Sequence, residues 1–377
     1  MRPWQSARRV LCIRLDSMGD VLMTTPAIRA VREGAPGRRV TLLTSSGGAA
    51  AARLVPEIDE VIVYDAPWNK MTEPPASSDQ DWAMIRQIRD ARFDAAIIFT
   101  VYSQNPLPAA LFCYLAGIPL RLAHCHENPY HLLSDWIRDP EPDQGIRHEV
   151  QRQLDLVAEV GYHTELQQLS LQIPAGARAQ VHALLKANNL DVRQPWVPIH
   201  AGATAPSRRY PPQHFATVAR ALVRDYGIPV VFTGSPEEEE LVQSIRDMMR
   251  APSLSLVGQL DLGQLAALLE RAPVVLSNNS GPAHVAAAVG TPVVDLYALT
   301  NPQHTPWGVP SRVLYQDVPC KFCYKSICPE GHHNCLRKVA PATVVQAVLS
   351  LLGPGLLGAF YDNQAVVEPR LRIDEYD

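Results

Sequence analysis

Val10-Leu-Cys-Ile-Arg-Leu15, then Asp16-Ser-Met-Gly-Asp20, then Val21-Leu-Met-Thr-Thr-Pro-Ala-Ile-Arg-Ala-Val-Arg32: this stretch decides the fold. The first part is a short apolar run that reads as a buried strand, and Val21–Arg32 carries apolar residues at helical spacing. A strand that runs through a short loop into a helix is the opening of a β-α-β unit. Further strands are predicted at Val40–Leu43, Val61–Tyr64 and Ala95–Phe99, with a surface loop from Pro67 to Asp81 and a helix at Gln151–Val160 ended by Gly161. After a connector at Glu165–Pro174 the pattern starts again. Strands are expected at Trp196–His200, Pro229–Thr233, Leu254–Val257, Val274–Ser277 and Val293–Tyr297, and helices at Pro212–Tyr226, Glu237–Met249, Leu262–Arg271 and Pro282–Val289. Strand and helix in alternation mean parallel sheets covered on both faces, so the fold class is α/β in two halves. The boundaries fall at residues 1–174 and 175–352, with a polar tail at 353–377.

The length of 377 residues fits two domains, and 47% hydrophobic against 19% charged residues supplies enough apolar material for two cores. Lys and Arg number 34 against 38 Asp and Glu, a net charge of −4, which argues against coating nucleic acid by bulk electrostatics. Any anionic ligand must then be held locally. Residues 1–40 hold eight Arg against three acidic residues, so a small anionic partner near the first half is allowed. The most membrane-like stretch, Thr343–Tyr361, is interrupted by Gln346, Ser350, Gly353, Pro354 and Gly355, and Met1–Leu15 has no cleavage site of the secretory kind. The expected location is the cytoplasm. Seven cysteines, three of them dispersed, do not form a secreted disulfide framework.

In open α/β sheets ligands bind at the carboxyl ends of strands, so the loops after Leu15, His200, Thr233 and Ser277 are where chemistry is expected. Asp20 stands where a helix N-cap belongs, and a carboxylate there suits the helix dipole; it can also take a proton from a substrate hydroxyl. His200-Ala-Gly-Ala-Thr204 leads into Ser207-Arg-Arg-Tyr-Pro211, where small residues let backbone N–H groups approach an anion and Arg supplies donors for phosphate oxygens. The same arginines serve equally as solvated loop charges. Ser280-Gly-Pro-Ala-His284 places Pro282 at the start of a helix whose leading N–H groups point outward, an anion-binding arrangement to which His284 adds a donor or merely packing. Neither G-x-G-x-x-G after the first strand nor a P-loop signature occurs, which counts against a dinucleotide dehydrogenase and a P-loop NTPase.

The segment from Arg14 through Asp20 to Ile28 resembles the N-terminal signature of the family 9 glycosyltransferases, the ADP-heptose:lipopolysaccharide heptosyltransferases. Ser280–His284 with Gly290-Thr-Pro292 resembles their nucleotide-binding motif, and the likeness runs to about Leu352. The resemblance implies a GT-B fold of two Rossmann-like domains facing a cleft, an acceptor domain first and an ADP-sugar domain second. It implies inverting transfer of heptose from ADP-heptose to a sugar hydroxyl of the lipopolysaccharide inner core, with no cofactor required for catalysis. By the same resemblance Asp20 is the catalytic base, and Thr204 and Arg208 hold the donor phosphates, Arg208 replacing a Lys. Asn279, where some members carry Asp, stands with Ser280, Gly281 and His284 in the diphosphate loop. Glu238 or Glu239 meets the ribose, and Gln259 lies near the adenine.

Arg53, Arg121 and His124 are the candidate acceptor contacts, to acidic core sugars or phosphates. A cytoplasmic location leaves room for peripheral contact with the inner membrane surface. Cys320, Cys323, Cys328 and Cys335, spaced C-x2-C-x4-C-x6-C with His332 and His333 between, suit a structural zinc or iron ion or stand as reduced thiols in a surface loop. Rival functions on the same scaffold are transfer to a protein or other glycan acceptor, and a catalytically silent nucleotide-sugar-binding protein.

Overall fold

A computed structural model describes residues 4–69, 72 and 77–361. Residues 70, 71 and 73–76 of the expected Pro67–Asp81 loop and residues 362–377 of the expected tail lie outside the described residues.

The first half runs β1 (Arg9–Arg14), α1 (Met18–Glu33), β2 (Arg39–Thr44), α2 (Ser46–Ala52), β3 (Glu60–Val63), α3 (Asp79–Asp90) and β4 (Ala95–Ile98). It continues with α4 (Leu107–Leu115), β5 (Leu120–Cys125), β6 (Asp135–Arg138) and α5 (Glu149–Ala158). All six strands are parallel, in the order β3-β2-β1-β4-β5-β6. The second half runs α6 (Ala177–Ala187), β7 (Val197–His200), α7 (Pro212–Arg224), β8 (Val230–Thr233), α8 (Glu239–Met249), β9 (Leu254–Ser255) and α9 (Leu262–Arg271). Then follow β10 (Val275–Asn278), α10 (Gly281–Ala288), β11 (Val293–Leu296), β12 (Ser311–Leu314), α11 (Asn334–Arg337) and α12 (Pro341–Tyr361). Its six parallel strands are ordered β12-β11-β10-β7-β8-β9, the same winding as the first sheet. The molecule thus has the two-Rossmann-domain GT-B architecture.

Burial on both faces explains why β1 reads as a continuous apolar run. Val10 and Cys12 enter one core with Val40 and Leu42, while Leu11 and Ile13 enter another with Leu43 and Ile98. The first of these cores continues into the second half: Val21, Leu22 and Val31 of α1 share it with Ala283, Val285 and Ala286 of α10. Pro26 inside α1 has no N–H to give the Leu22 carbonyl, and the Thr25 hydroxyl donates to that oxygen instead at 2.6 Å.

One expectation needs correction, and two further features emerge. The first helix starts at Met18 rather than after Asp20, with Ser17 as its extended N-cap, so Asp20 is its third residue and not the cap. The capping box of Ser and an acidic third residue carries this start. Between the Glu165–Pro174 connector and β7 lies a helix not expected from the sequence, α6, which packs on α9 through Val181 and Leu185. The apolar C-terminal stretch is helical but breaks at Gly353 (φ 76°), and among the described residues no helix is long and apolar enough to cross a membrane.

Candidate active site

Each sheet has one place where the strand order reverses, between the parallel neighbours β1 and β4 and between β7 and β10. The two meet. A Cβ at Gly19 would sit 2.6 Å from the His284 ring, and one at Gly281 would collide with the Met18 methyl. The N-termini of α1 and α10 therefore face each other across the two halves, and both bring the positive ends of their dipoles to one spot.

On the β1 side everything hangs on Arg14, an arginine inside a buried strand. Its fully buried guanidinium pairs with Asp16 (2.9 Å), Asp20 (3.1 Å) and Glu149 (2.7 Å) of α5. Asp20 accepts further bonds from the Ser17 N–H at 3.1 Å and the Ser17 hydroxyl at 2.7 Å, and remains one-fifth exposed. Burial by itself would raise the Asp20 carboxyl, but the charge of Arg14 first, then the hydrogen bond from Ser17, outweigh it and hold it well below the usual carboxylate range. Asp16, which accepts from Gln104 at 2.6 Å, is pushed up by burial and by the neighbouring charge of Asp20. Asp20 is thus held ionised in this cluster.

On the β10 side Asn278 ties the strand ends together, donating to the Ala201 carbonyl at 2.7 Å and accepting from the Tyr210 N–H at 3.0 Å. Ser280 is the extended N-cap of α10, yet its hydroxyl donates back to the Asn278 carbonyl at 3.2 Å and no side chain caps the helix. Asn279 Nδ2 and His284 Nδ1 are buried without a hydrogen-bond partner among the described residues. Burial pushes the His284 imidazole down to about 3, so it stands here as a neutral ring. Arg208 lies on a one-turn 3-10 helix, Pro206–Arg208, half-buried, with its buried Nε also unpaired. Asp295 of β11 is fully buried with both oxygens unpaired; burial raises it to about 8 against the pull of Arg208.

Of the two acidic candidates for the ribose, Glu238 is the one at the strand ends. Its carboxylate accepts from the Ser235 N–H at 2.9 Å, lies 3.7 Å from His200 Nε2, and fills the space where a Cβ at Gly202 would go. Glu239 is an exposed residue of the first turn of α8. Thr204 is exposed on the loop after β7, and Gln259 is exposed with its amide donating to the Ser255 carbonyl at 3.1 Å. Asp20, Arg208, Asn279, Ser280, Gly281 and His284 are gathered at the domain boundary, whereas Glu238, Thr204 and Gln259 line the loops beside it.

The three acceptor candidates are not gathered there. Arg53 is the exposed C-cap of α2, a helix running antiparallel to the strands, which places it at the amino edge of the sheet. Arg121, near the amino end of β5, is buried and donates to the carbonyls of Leu132 (2.6 Å), His131 (2.8 Å), Pro119 (3.3 Å) and Ile118, so it pins a loop. His124 is nearly at the carboxyl end of β5 but buried and driven down to about 4 by burial and Arg152, so it carries no charge for an acidic sugar.

The four clustered thiols, with His332 and His333, line one small cavity of about 20 Å³. Cys320 Sγ lies 3.8 Å from His332 Nε2, and burial followed by the other three thiols pushes Cys335 up. Among the described residues no three His, Cys, Asp or Glu side chains already converge as a metal-ligand set. The loop braces the Arg208 turn, with His333 Nε2 2.6 Å from the Ser207 carbonyl and the Ser207 N–H donating to the Ser326 carbonyl at 3.0 Å.

Sequence reasoning missed Arg14, Ser17, Glu149, Asp295 and the turn Asn301–His304. Arg14 had a signal, since a charge inside a buried strand requires a partner; the loop after β11 had one too, because it also follows a parallel strand at its carboxyl end. Glu149 had none.

The model of glycosyltransferase family 9 (heptosyltransferase) matches residues 82–334. Lipopolysaccharide heptosyltransferase 2 of Escherichia coli strain K12 is 25% identical over 91% of this chain and 98% of its own length, and its Salmonella typhimurium counterpart is 24% identical over the same shares. Among solved structures, a family 9 glycosyl transferase from Veillonella parvula superposes with a TM-score of 0.77 at 25% identity, covering 93% of this chain and 98% of that one. E. coli ADP-heptose lps heptosyltransferase II superposes at 0.68 with 24% identity, over 91% and 98%, and supports the fold.

Proposed function

The chain belongs to glycosyltransferase family 9, and from that premise we propose that it transfers heptose from ADP-heptose, with inversion, to a sugar hydroxyl of the lipopolysaccharide inner core. Residues 1–174 would hold the acceptor and residues 175–352 the ADP-sugar. The observation that carries the proposal is the meeting of α1 and α10, which sets the Asp20 carboxylate against an uncapped helix start.

A sugar diphosphate already has a good leaving group, so the protein must prepare the acceptor and receive the charge that ADP takes away. Asp20 accepts the proton of the acceptor hydroxyl as its oxygen attacks the anomeric carbon from the face opposite the phosphate. The carbon–oxygen bond to the diphosphate breaks, and the electron pair leaves with ADP. Because its pKa is low, Asp20 is ionised at any pH at which the protein works, and takes the proton late, once bond formation has acidified the hydroxyl. Arg208, the leading N–H groups of α10 and the neutral His284 would receive the diphosphate charge. Glu238 would meet the ribose, with Thr204 and Gln259 on the rim. Mass spectrometry of products formed from ADP-heptose and a panel of truncated lipopolysaccharides tests the proposal: a mass gain of one heptose on one truncated core is expected, and no transfer to any member overturns it.

The four cysteines would hold a structural zinc or iron ion that takes no part in the proton transfer. Soft thiolates are the right donors for either metal, and the cavity they share with His332 has room for a single ion once the side chains rotate onto it. Elemental analysis should find about one metal per chain, and metal-free protein of undiminished stability would overturn this.

A further inference from the structure

The turn after β11 is buried, polar and unpaired. Asn301, Gln303 and His304 are all less than one-tenth exposed, and Asn301 Nδ2, Gln303 Nε2 and Oε1, and His304 Nε2 have no hydrogen-bond partner among the described residues. Buried polar groups are normally paired, so several orphans on one short turn need a reason. Their backbone does not wander. The Tyr297 hydroxyl donates to the Asn301 carbonyl, lies 3.0 Å from the Thr300 hydroxyl and accepts from the His304 N–H at 3.3 Å. The first half grips the same segment from the other side. His148, the N-cap of α5 beside Glu149, has Nε2 2.9 Å from the Thr305 carbonyl and packs its ring on Trp307 at 4.5 Å. Tyr324 accepts from Tyr102 at 2.9 Å and from the Asn301 N–H at 3.4 Å.

Position and chemistry together narrow the ligand. The turn lies close to the proposed base: His148 holds the Thr305 carbonyl, its neighbour Glu149 pairs with Arg14, and Arg14 pairs with Asp20, while His304 is within electrostatic reach of Asp20 and Arg14 in the first half and of Arg208 in the second. Between Asp20 and Arg208 the reaction requires the donor's sugar ring. Burial keeps His304 neutral, and two amides with a neutral imidazole offer both donors and acceptors and no charge. That suits hydroxyl groups, which both donate and accept, better than an anion or an apolar chain. Resting on the function proposed above, we propose that Asn301, Gln303 and His304 form the pocket that recognises the hydroxyls of the donor sugar.

Calorimetric titration of the full chain with ADP and with ADP-heptose, no acceptor present, tests this. Gln303→Leu and His304→Ala should leave ADP affinity within about twofold of wild type and weaken ADP-heptose about tenfold or more. His304→Gln should recover part of the loss. Because Gln303→Leu removes an unpaired buried amide at nearly constant volume, it should melt no lower than wild type. ADP-heptose affinity within twofold of wild type in both Gln303→Leu and His304→Ala overturns the pocket, and so does a marked drop in the melting temperature of Gln303→Leu, which would make the amide structural. Wild type that binds ADP but gains nothing from the heptose overturns the pocket and leaves the nucleotide site standing. Binding of neither compound overturns the proposed function first, and the pocket with it.

Discussion

The two sheets share one winding and differ in what they leave at its turning point. After β1 the charged groups are turned on one another: Arg14 answers Asp16, Asp20 and Glu149, Gln104 and Ser17 add their bonds, and Glu149 Oε2 is left over without a partner among the described residues. After β10 and β11 the polar groups are left unanswered, in Asn279, His284, Asp295, Gln303, His304 and the Nε of Arg208. Arg14 on one oxygen and Ser17 on the other hold the Asp20 carboxylate in one ionisation state and one orientation, which is what proton transfer requires. An open set of buried donors and acceptors costs stability and is retained where a ligand completes it. On the function proposed above, the same topology would carry a prepared reactive group in one half and a prepared receptor in the other.

Asp20→Asn attacks this contrast most directly. It keeps the side chain's shape and a carbonyl for Ser17 but removes the carboxylate, so turnover should fall by about 100-fold or more while ADP affinity holds. Near wild-type turnover in the folded variant would show that the Arg14 network is only structural. Arg208→Ala should weaken ADP binding by about 10- to 100-fold, measured by titration, as expected for one charge-assisted phosphate contact; unchanged affinity would move the diphosphate elsewhere.

Asp295 tests whether the open side is costly. Unfolded, it ionises near 3.8, and folded only near 8, so its contribution to stability is lost as pH rises from about 4 to about 8 and is level beyond. Asp295→Asn should therefore stabilise the chain at pH 8 by about 2 kcal/mol, part of the cost of an isolated buried carboxylate, and by almost nothing at pH 4. Equal shifts in melting temperature at both pH values would contradict this. The smallest effect concerns the seam: Tyr102→Phe removes the hydroxyl bond to Tyr324 and should cost about 1 kcal/mol in thermal unfolding. No change at all would mean that the halves do not hold each other there.

Periodicity alone placed β1, α1, β2, β7, β8, β10, α9 and α10 to within a few residues, because a strand buried on both faces and a helix on a sheet leave plain apolar patterns in the chain. It also marked the Asp20 and Ser280–His284 loops, since parallel sheets expose ligands at strand ends whatever their sequence. The sequence could not say that Glu149, 135 residues beyond Arg14, would supply its partner. Nor could it separate Glu238 from Glu239, show that Arg121 pins a loop, or put His304 beside Asp20. The physical reason is range. Hydrophobic burial is set by the periodicity of neighbours and is written locally, whereas the charge state of Asp20, the neutrality of His284 and the unpaired turn at Asn301–His304 depend on which distant groups share a low-dielectric space, and only the docking of the two halves decides that.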